Sequence, residues 1–154
     1  MNSPKIKSFK QIKTAVEKLK RAGKKVVFTN GCFDILHIGH IKLLKQAKSF
    51  GDILVVGINS DSSVKKIKGP KRPINCENDR TELLASLSMV DFVVKFFKPT
   101  PYELIKIIKP HILVKGSDWK SDEIIGREFS GKVRRVHLKS GYSTTAIIRK
   151  IKGI

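Results

Sequence analysis

The chain has 154 residues, enough to bury one real core, and its 40% hydrophobic and 29% charged content is ordinary for a globular protein. No apolar run approaches the ~18 residues of a membrane helix, and the N-terminus lacks the apolar stretch of a secretory signal, so a cytoplasmic protein is expected. The net charge of +19 is mostly lysine dispersed along the chain with few aromatics between, which suits solvated faces and phosphorylated substrates better than a nucleic-acid surface.

Residues 1–25 carry nine Lys/Arg against one Glu. Phe9, Ile12, Val16 and Leu19 recur every three or four residues, which predicts a helix with one apolar stripe, ended by Gly23 and laid on the domain edge. Val26-Val27-Phe28 reads as a buried strand. It breaks at Asn30-Gly31, a turn signal, and runs on through Cys32-Phe33-Asp34-Ile35-Leu36-His37-Ile38 to a helix over Gly39–Phe50. Ile41, Leu44 and Ala47 are its expected inward positions.

Ile53–Ile58 is a continuous apolar run, as in a central parallel strand. It ends in Asn59-Ser60-Asp61, at the carboxyl edge where open α/β sheets bind ligands. Lys65 to Arg72 is expected as a basic, Gly-Pro-punctuated loop. Asn78 to Met89 reads as a helix with Leu83, Leu84 and Leu87 as its apolar face and Arg80 in its first turn, where a lone arginine is ordinarily a surface residue.

Asp91–Phe96 reads as a third strand. Thr100 and Pro101 are expected at the N-cap and first position of a helix that Pro110 closes. Ile112–Lys115 is a fourth strand, followed by Gly116-Ser117-Asp118-Trp119, and Lys132–Leu138 a fifth. Ser143-Thr144-Thr145 precede a last helix, Ala146–Lys150, where three hydroxyls cap the helix or bind an anion. Strands alternating with helices throughout predict an α/β fold: a single Rossmann-like, doubly wound domain over 1–154 with a five-stranded parallel sheet.

The strand–turn–helix at residues 26–40 is a phosphate site in the making, because backbone N–H groups and the helix dipole favour an anion there. His37 and His40 bracket Gly39, so that a helix starting near Gly39 puts both imidazoles at its amino end. Two other readings exist. The pair could be structural, one histidine capping the helix, or could bind zinc with Asp34; but His111 and His137 lie far off in sequence, and the full strand–turn–helix context favours phosphate. Cys32 and Cys76 show no metal spacing and are expected as reduced thiols.

Gly31-Cys32-Phe33-Asp34-Ile35-Leu36-His37-Ile38-Gly39-His40 resembles the G-x-F-D-x-x-H-x-G-H signature of the cytidylyltransferase-like nucleotidyltransferases. Asn59-Ser60-Asp61, Lys68-Gly69, Arg72-Pro73-Ile74-Asn75, Asp79-Arg80, Leu113–Trp119 and Gly141–Thr145 are similar to the sugar-phosphate adenylyltransferase branch, the adenylyltransferase domains of the ADP-heptose synthase family. Gly116-Ser117-Asp118 stands where that branch carries Gly-Gly-Asp. The resemblance covers nearly all of residues 24–151. It implies transfer of AMP from ATP, with Mg²⁺ on the phosphates and no side-chain metal ligands, to D-glycero-β-D-manno-heptose 1-phosphate, giving ADP-heptose and pyrophosphate for lipopolysaccharide core synthesis.

It further implies His37 and His40 as catalytic residues. Thr29, Asn30, Gly31, Cys32, Phe33, Gly39, His40, Gly116, Asp118, Ser143, Thr144 and Thr145 would bind the nucleotide. Asp34, Asn59, Asp61, Lys68, Arg72 and Arg80 would bind the acceptor or its phosphate. A homodimer is expected, with no membrane or nucleic-acid partner. The alternatives are a glycerol-3-phosphate cytidylyltransferase, an adenylyltransferase for another phosphosugar, or, outside the class, a basic nucleic-acid-binding module.

Overall fold

A computed structural model describes residues 3–116, 124–137 and 141–153. Five parallel strands form one sheet in the order β3-β2-β1-β4-β5: β1 (Val26–Gly31), β2 (Ile53–Asn59), β3 (Phe92–Phe96), β4 (Ile112–Gly116) and β5 (Lys132–Val136). This is the expected doubly wound arrangement, and both faces of the sheet are covered.

Alternation along the strands divides the core in two. Val27, Leu54, Val56, Ile58, Ile112 and Val114 face Leu43, Leu44 and Ala47 of α2 (Ile38–Ser49) and Leu84 and Ala85 of α4 (Glu77–Ala85). Val26, Phe28, Val55 and Leu113 face Ile12 and Val16 of α1 (Phe9–Arg21) and Leu104, Ile105 and Ile108 of α5 (Tyr102–Ile108). Helices on both sides explain why β2 reads as an unbroken apolar run rather than an alternating one.

Helix α1 has the predicted stripe, with Ile12 and Val16 buried and Phe9 and Leu19 half-buried. Its start is fixed by a capping box, in which Ser8 Oγ accepts from the Gln11 N–H and Gln11 Oε1 accepts from the Ser8 N–H.

Several boundaries differ from the sequence expectation. The basic stretch from Lys65 is not all loop, because α3 (Asp61–Lys68) runs through it as far as Gly69. Ser60 Oγ caps that helix by accepting from the Ser63 N–H, Val64 is buried, and the lysines form its solvent face. Helix α4 stops at Ala85, and its buried face is Arg80, Thr81 and Leu84, whereas Leu83 is 47% exposed. Helix α5 begins one residue later than expected: Pro101 is its N-cap, and its carbonyl accepts from the Ile105 N–H.

In α2 Leu43, not Ile41, joins Leu44 and Ala47 in the core. The last helix, α6 (Thr144–Lys152), is longer than expected and has no buried residue. Strand β5 ends at Val136, and Leu138 lies outside the described residues.

Candidate active site

The carboxyl end of β1 turns sharply into α2. Phe33 makes that turn at φ +47°, a left-handed conformation that non-glycine residues adopt at a cost of about 1–3 kcal/mol and that clusters at functional sites. Its ring is buried and lies 5.1 Å from the His40 ring, centroid to centroid.

Beneath the turn, the buried carboxylate of Asp34 holds a neighbouring loop. It accepts from Arg72 Nε at 2.5 Å and from the backbone N–H groups of Ile74 and Asn75 at 2.7 and 3.0 Å. The Asp34 carbonyl in turn accepts from Asn75 Nδ2. Asp34 and Arg72, both expected at the acceptor, thus spend these groups on each other and on the loop.

His37 is the N-cap of α2, its Nδ1 accepting from the Gly39 N–H at 3.1 Å. The capping reading of His37 is met, and the cap occupies one ring nitrogen and leaves the other. His40 stacks on His37 with centroids 3.7 Å apart and 24° between planes. Burial, and secondarily the His37 ring, pushes the pKa of His40 down to about 4, and burial lowers that of His37. Both are neutral near pH 7 and can act as hydrogen-bonding groups rather than cations. His40 Nδ1 is buried with no hydrogen-bond partner among the described residues, which is costly for a structural group and common in a functional one.

Gly39 allows this packing. A Cβ there would meet the His37 ring at 3.0 Å and lie 3.4 Å from Tyr142 Cβ. The second contact places the segment entering α6 against the start of α2. Ser143 caps α6 by accepting from the Ala146 N–H at 3.0 Å, with Thr144 and Thr145 in the first turn.

On the other side of β1, at the carboxyl end of β2, Asn59 is buried and donates to Ser63 Oγ; its Oδ1 lies 3.9 Å from Cys32 Sγ. Arg80 is fully buried, contrary to the surface position expected of it. Its guanidinium donates to the Cys32 carbonyl at 2.5 Å, the Asn75 carbonyl at 2.9 Å and the Asp61 carboxylate at 2.7 Å. Arg80 is therefore a tether joining the β1 turn, the 72–75 loop and α3. Lys68, at the end of α3, is exposed; its charge, with those of Arg80 and Arg72, acts on Cys32, whose thiol pKa is nonetheless raised because burial outweighs the cations.

Thr29 Oγ1 is buried and donates to the Val114 carbonyl at 3.0 Å, tying β1 to β4. Gly116 closes β4, and Asp118 lies outside the described residues. His111 is structural, its Nδ1 accepting from the Val26 N–H.

One residue that sequence reasoning passed over stands out. Lys115, near the end of β4, donates to Asn30 Oδ1, and burial draws its pKa down to about 8. The available signal was a lysine closing a strand of otherwise buried residues, at the edge where ligands bind.

Comparison with known proteins places the chain in a family. The bifunctional protein HldE of Sulfurimonas denitrificans is 58% identical over 148 residues, 96% of this chain but 31% of the relative. That of Helicobacter pylori strain J99 is 58% identical over 137 residues, 89% of this chain and 30% of the relative. The chain thus spans about a third of the length of these relatives. A lipopolysaccharide core biosynthesis protein from Thermoplasma volcanium superposes with a TM-score of 0.67 at 32% identity, covering 77% of this chain and all of the other. Pantoate-beta-alanine ligase from Francisella tularensis, at 19% identity and a TM-score of 0.62 over 97% of this chain and 78% of its own, shares the fold. The family model described as cytidylyltransferase-like matches residues 28–150, and the chain belongs to that family.

Proposed function

We propose that this domain transfers AMP from ATP to D-glycero-β-D-manno-heptose 1-phosphate, releasing pyrophosphate and giving ADP-heptose for lipopolysaccharide core synthesis. The observation that carries the chemistry is the stacked, neutral His37–His40 pair at the amino end of α2. The similarity to the HldE proteins over 96% of the chain, together with the sugar-branch motifs, supports the substrates.

In this reading a phosphate oxygen of the sugar attacks the α-phosphorus of ATP, and the bond to the β-phosphate bridging oxygen breaks. Negative charge grows on the oxygens around the α-phosphorus and on the leaving pyrophosphate. His37 and His40 donate hydrogen bonds to that charge, each such donor contributing on the order of 3 kcal/mol. Thr29 to Phe33, Gly39, Gly116 and Asp118 frame the nucleotide, with Ser143 to Thr145 at its triphosphate. Asn59, Asp61 and Lys68 face the acceptor, on a floor held by Asp34, Arg72 and Arg80.

Mg²⁺ screens the phosphates when bound. In this reading the triphosphate oxygens supply its ligands. No described helix is long and apolar enough to cross a membrane, and we place the reaction in the cytoplasm, where ATP is supplied. The exposed apolar side of α6, where Ile151 is 78% exposed, supports a homodimer.

The test is pyrophosphate release with Mg²⁺, crossing ATP and CTP against both anomers of heptose 1-phosphate and glycerol 3-phosphate. Turnover with ATP and the β-anomer is expected. Turnover with CTP and glycerol 3-phosphate would keep the histidine chemistry and replace the substrates.

A further inference from the structure

Strands β1 and β4 are neighbours in the sheet but distant in sequence, and the winding of the chain reverses between them. In open parallel sheets a crevice forms at that point, at the carboxyl ends of the strands, and ligands bind there. The ladder across it is short here. β1 pairs with β4 at Val27↔Ile112 and Phe28↔Leu113, whereas it pairs with β2 as far as Gly31↔Ile58, and β4 pairs with β5 as far as Gly116↔Val136. Beyond Phe28 and Leu113 side chains span the gap: Thr29 Oγ1 donates to the Val114 carbonyl, and the Lys115 ammonium donates to Asn30 Oδ1.

Three cations near the carboxyl edge of the sheet have anionic partners. Arg72 is on Asp34, Arg80 on Asp61 and Lys95 on Glu77. Lys115 differs, because its partner is a neutral amide and no carboxylate forms an ion pair with it among the described residues. A partly desolvated ammonium without a counter-charge is unfavourable until an anion arrives, and burial has accordingly drawn its pKa down to about 8. The histidines beside the crevice are neutral and cannot supply that positive charge. An ammonium has three donors; Asn30 takes one and fixes the direction of the head, leaving two for a ligand.

We propose that Lys115, steered by Asn30, is the phosphate-binding cation of the β1–β4 crevice, receiving phosphoryl oxygens of the nucleotide or of the acceptor on its remaining donors. This rests on the reading above that both substrates carry phosphate.

Lys115→Met keeps the aliphatic stem and removes the charge, while Lys115→Arg keeps a cation. Calorimetric titration with ATP and with inorganic pyrophosphate, and steady-state constants for both substrates, read the effect; thermal unfolding checks the fold, with Lys115→Gln as the substitute if the Met variant does not fold. We expect Lys115→Met to weaken at least one phosphorylated ligand by about tenfold or more with little change in unfolding temperature, and Lys115→Arg to recover much of the loss. Loss in the ATP and pyrophosphate titrations puts the cation on the nucleotide, and loss confined to the KM of the sugar phosphate puts it on the acceptor. Constants within about twofold of wild type throughout would overturn the assignment, as would a wild-type protein that binds none of these ligands. Wild-type protein that binds ATP but forms no ADP-heptose removes the substrate reading alone, and the ATP and pyrophosphate titrations still decide Lys115.

Discussion

The imidazoles of His37 and His40 stack 3.7 Å apart on either side of Gly39, one capping α2 and the other in its first turn. Removing the second ring should therefore strip a transition-state donor while sparing the fold. His40→Ala is expected to lower kcat by about 10²–10³-fold with far-UV circular dichroism unchanged. Near-normal turnover would take His40 out of the chemistry.

Gly39 separates stability from activity. Alanine is the better helix former by about 1 kcal/mol, but its Cβ would press on the His37 ring at 3.0 Å. The ring must shift, disturbing both the cap and the stack. Gly39→Ala should change the unfolding temperature little, because the disturbed cap offsets the propensity gain, and reduce kcat. A variant with full activity would show that the ring geometry is not critical.

Stability and activity should both depend on pH, in different windows. The pKa of His40 is lowered from 6.5 to about 4, so the unfolded chain binds its proton more readily. Stability is insensitive to this group above pH 6.5 and falls as pH drops from there through 4. His40→Asn should flatten that fall in urea titrations. Activity should persist below pH 6.5 because burial lowers the pKa of both rings and the neutral ring is the working form. On the alkaline side it should decline near 8 as Lys115, in register with Arg135 of β5, loses its proton, and Lys115→Met should abolish that decline.

Arg80 is predicted to act on the fold first. Arg80→Ala leaves the carbonyls of Cys32 and Asn75 without this donor and Asp61 without its cation, a loss of about 3 kcal/mol in urea unfolding. Lys at this position should not restore it, because one ammonium cannot reproduce the fork that reaches three acceptors. A change in substrate constants with stability intact would instead make Arg80 a substrate contact.

Much of this architecture was legible in the sequence because it follows from local pattern. The apolar run Ile53–Ile58 reads as a strand covered on both faces, and the spacing of Ile12 and Val16 sets the buried side of α1. Periodicity and turn chemistry act over a few residues, so strand order apart, the doubly wound sheet was already implied. The G-x-F-D-x-x-H-x-G-H signature likewise located the histidine pair, since its residues lie on one continuous strand–turn–helix.

Tertiary structure decided what depends on residues distant in the chain. Arg80 in the first turn of α4 looks solvent-exposed until Cys32, Asn75 and Asp61 converge on its guanidinium. Asp34 looks like a ligand group until the 72–75 loop folds over it. Lys115 is one lysine among many until β4 sets it across the crevice from Asn30, 85 residues earlier. The chain alone determined which residues could carry phosphate chemistry; only folding decided which charges neutralise one another and which remain for a ligand, because burial and distance, not residue type, set the cost of an unpaired charge.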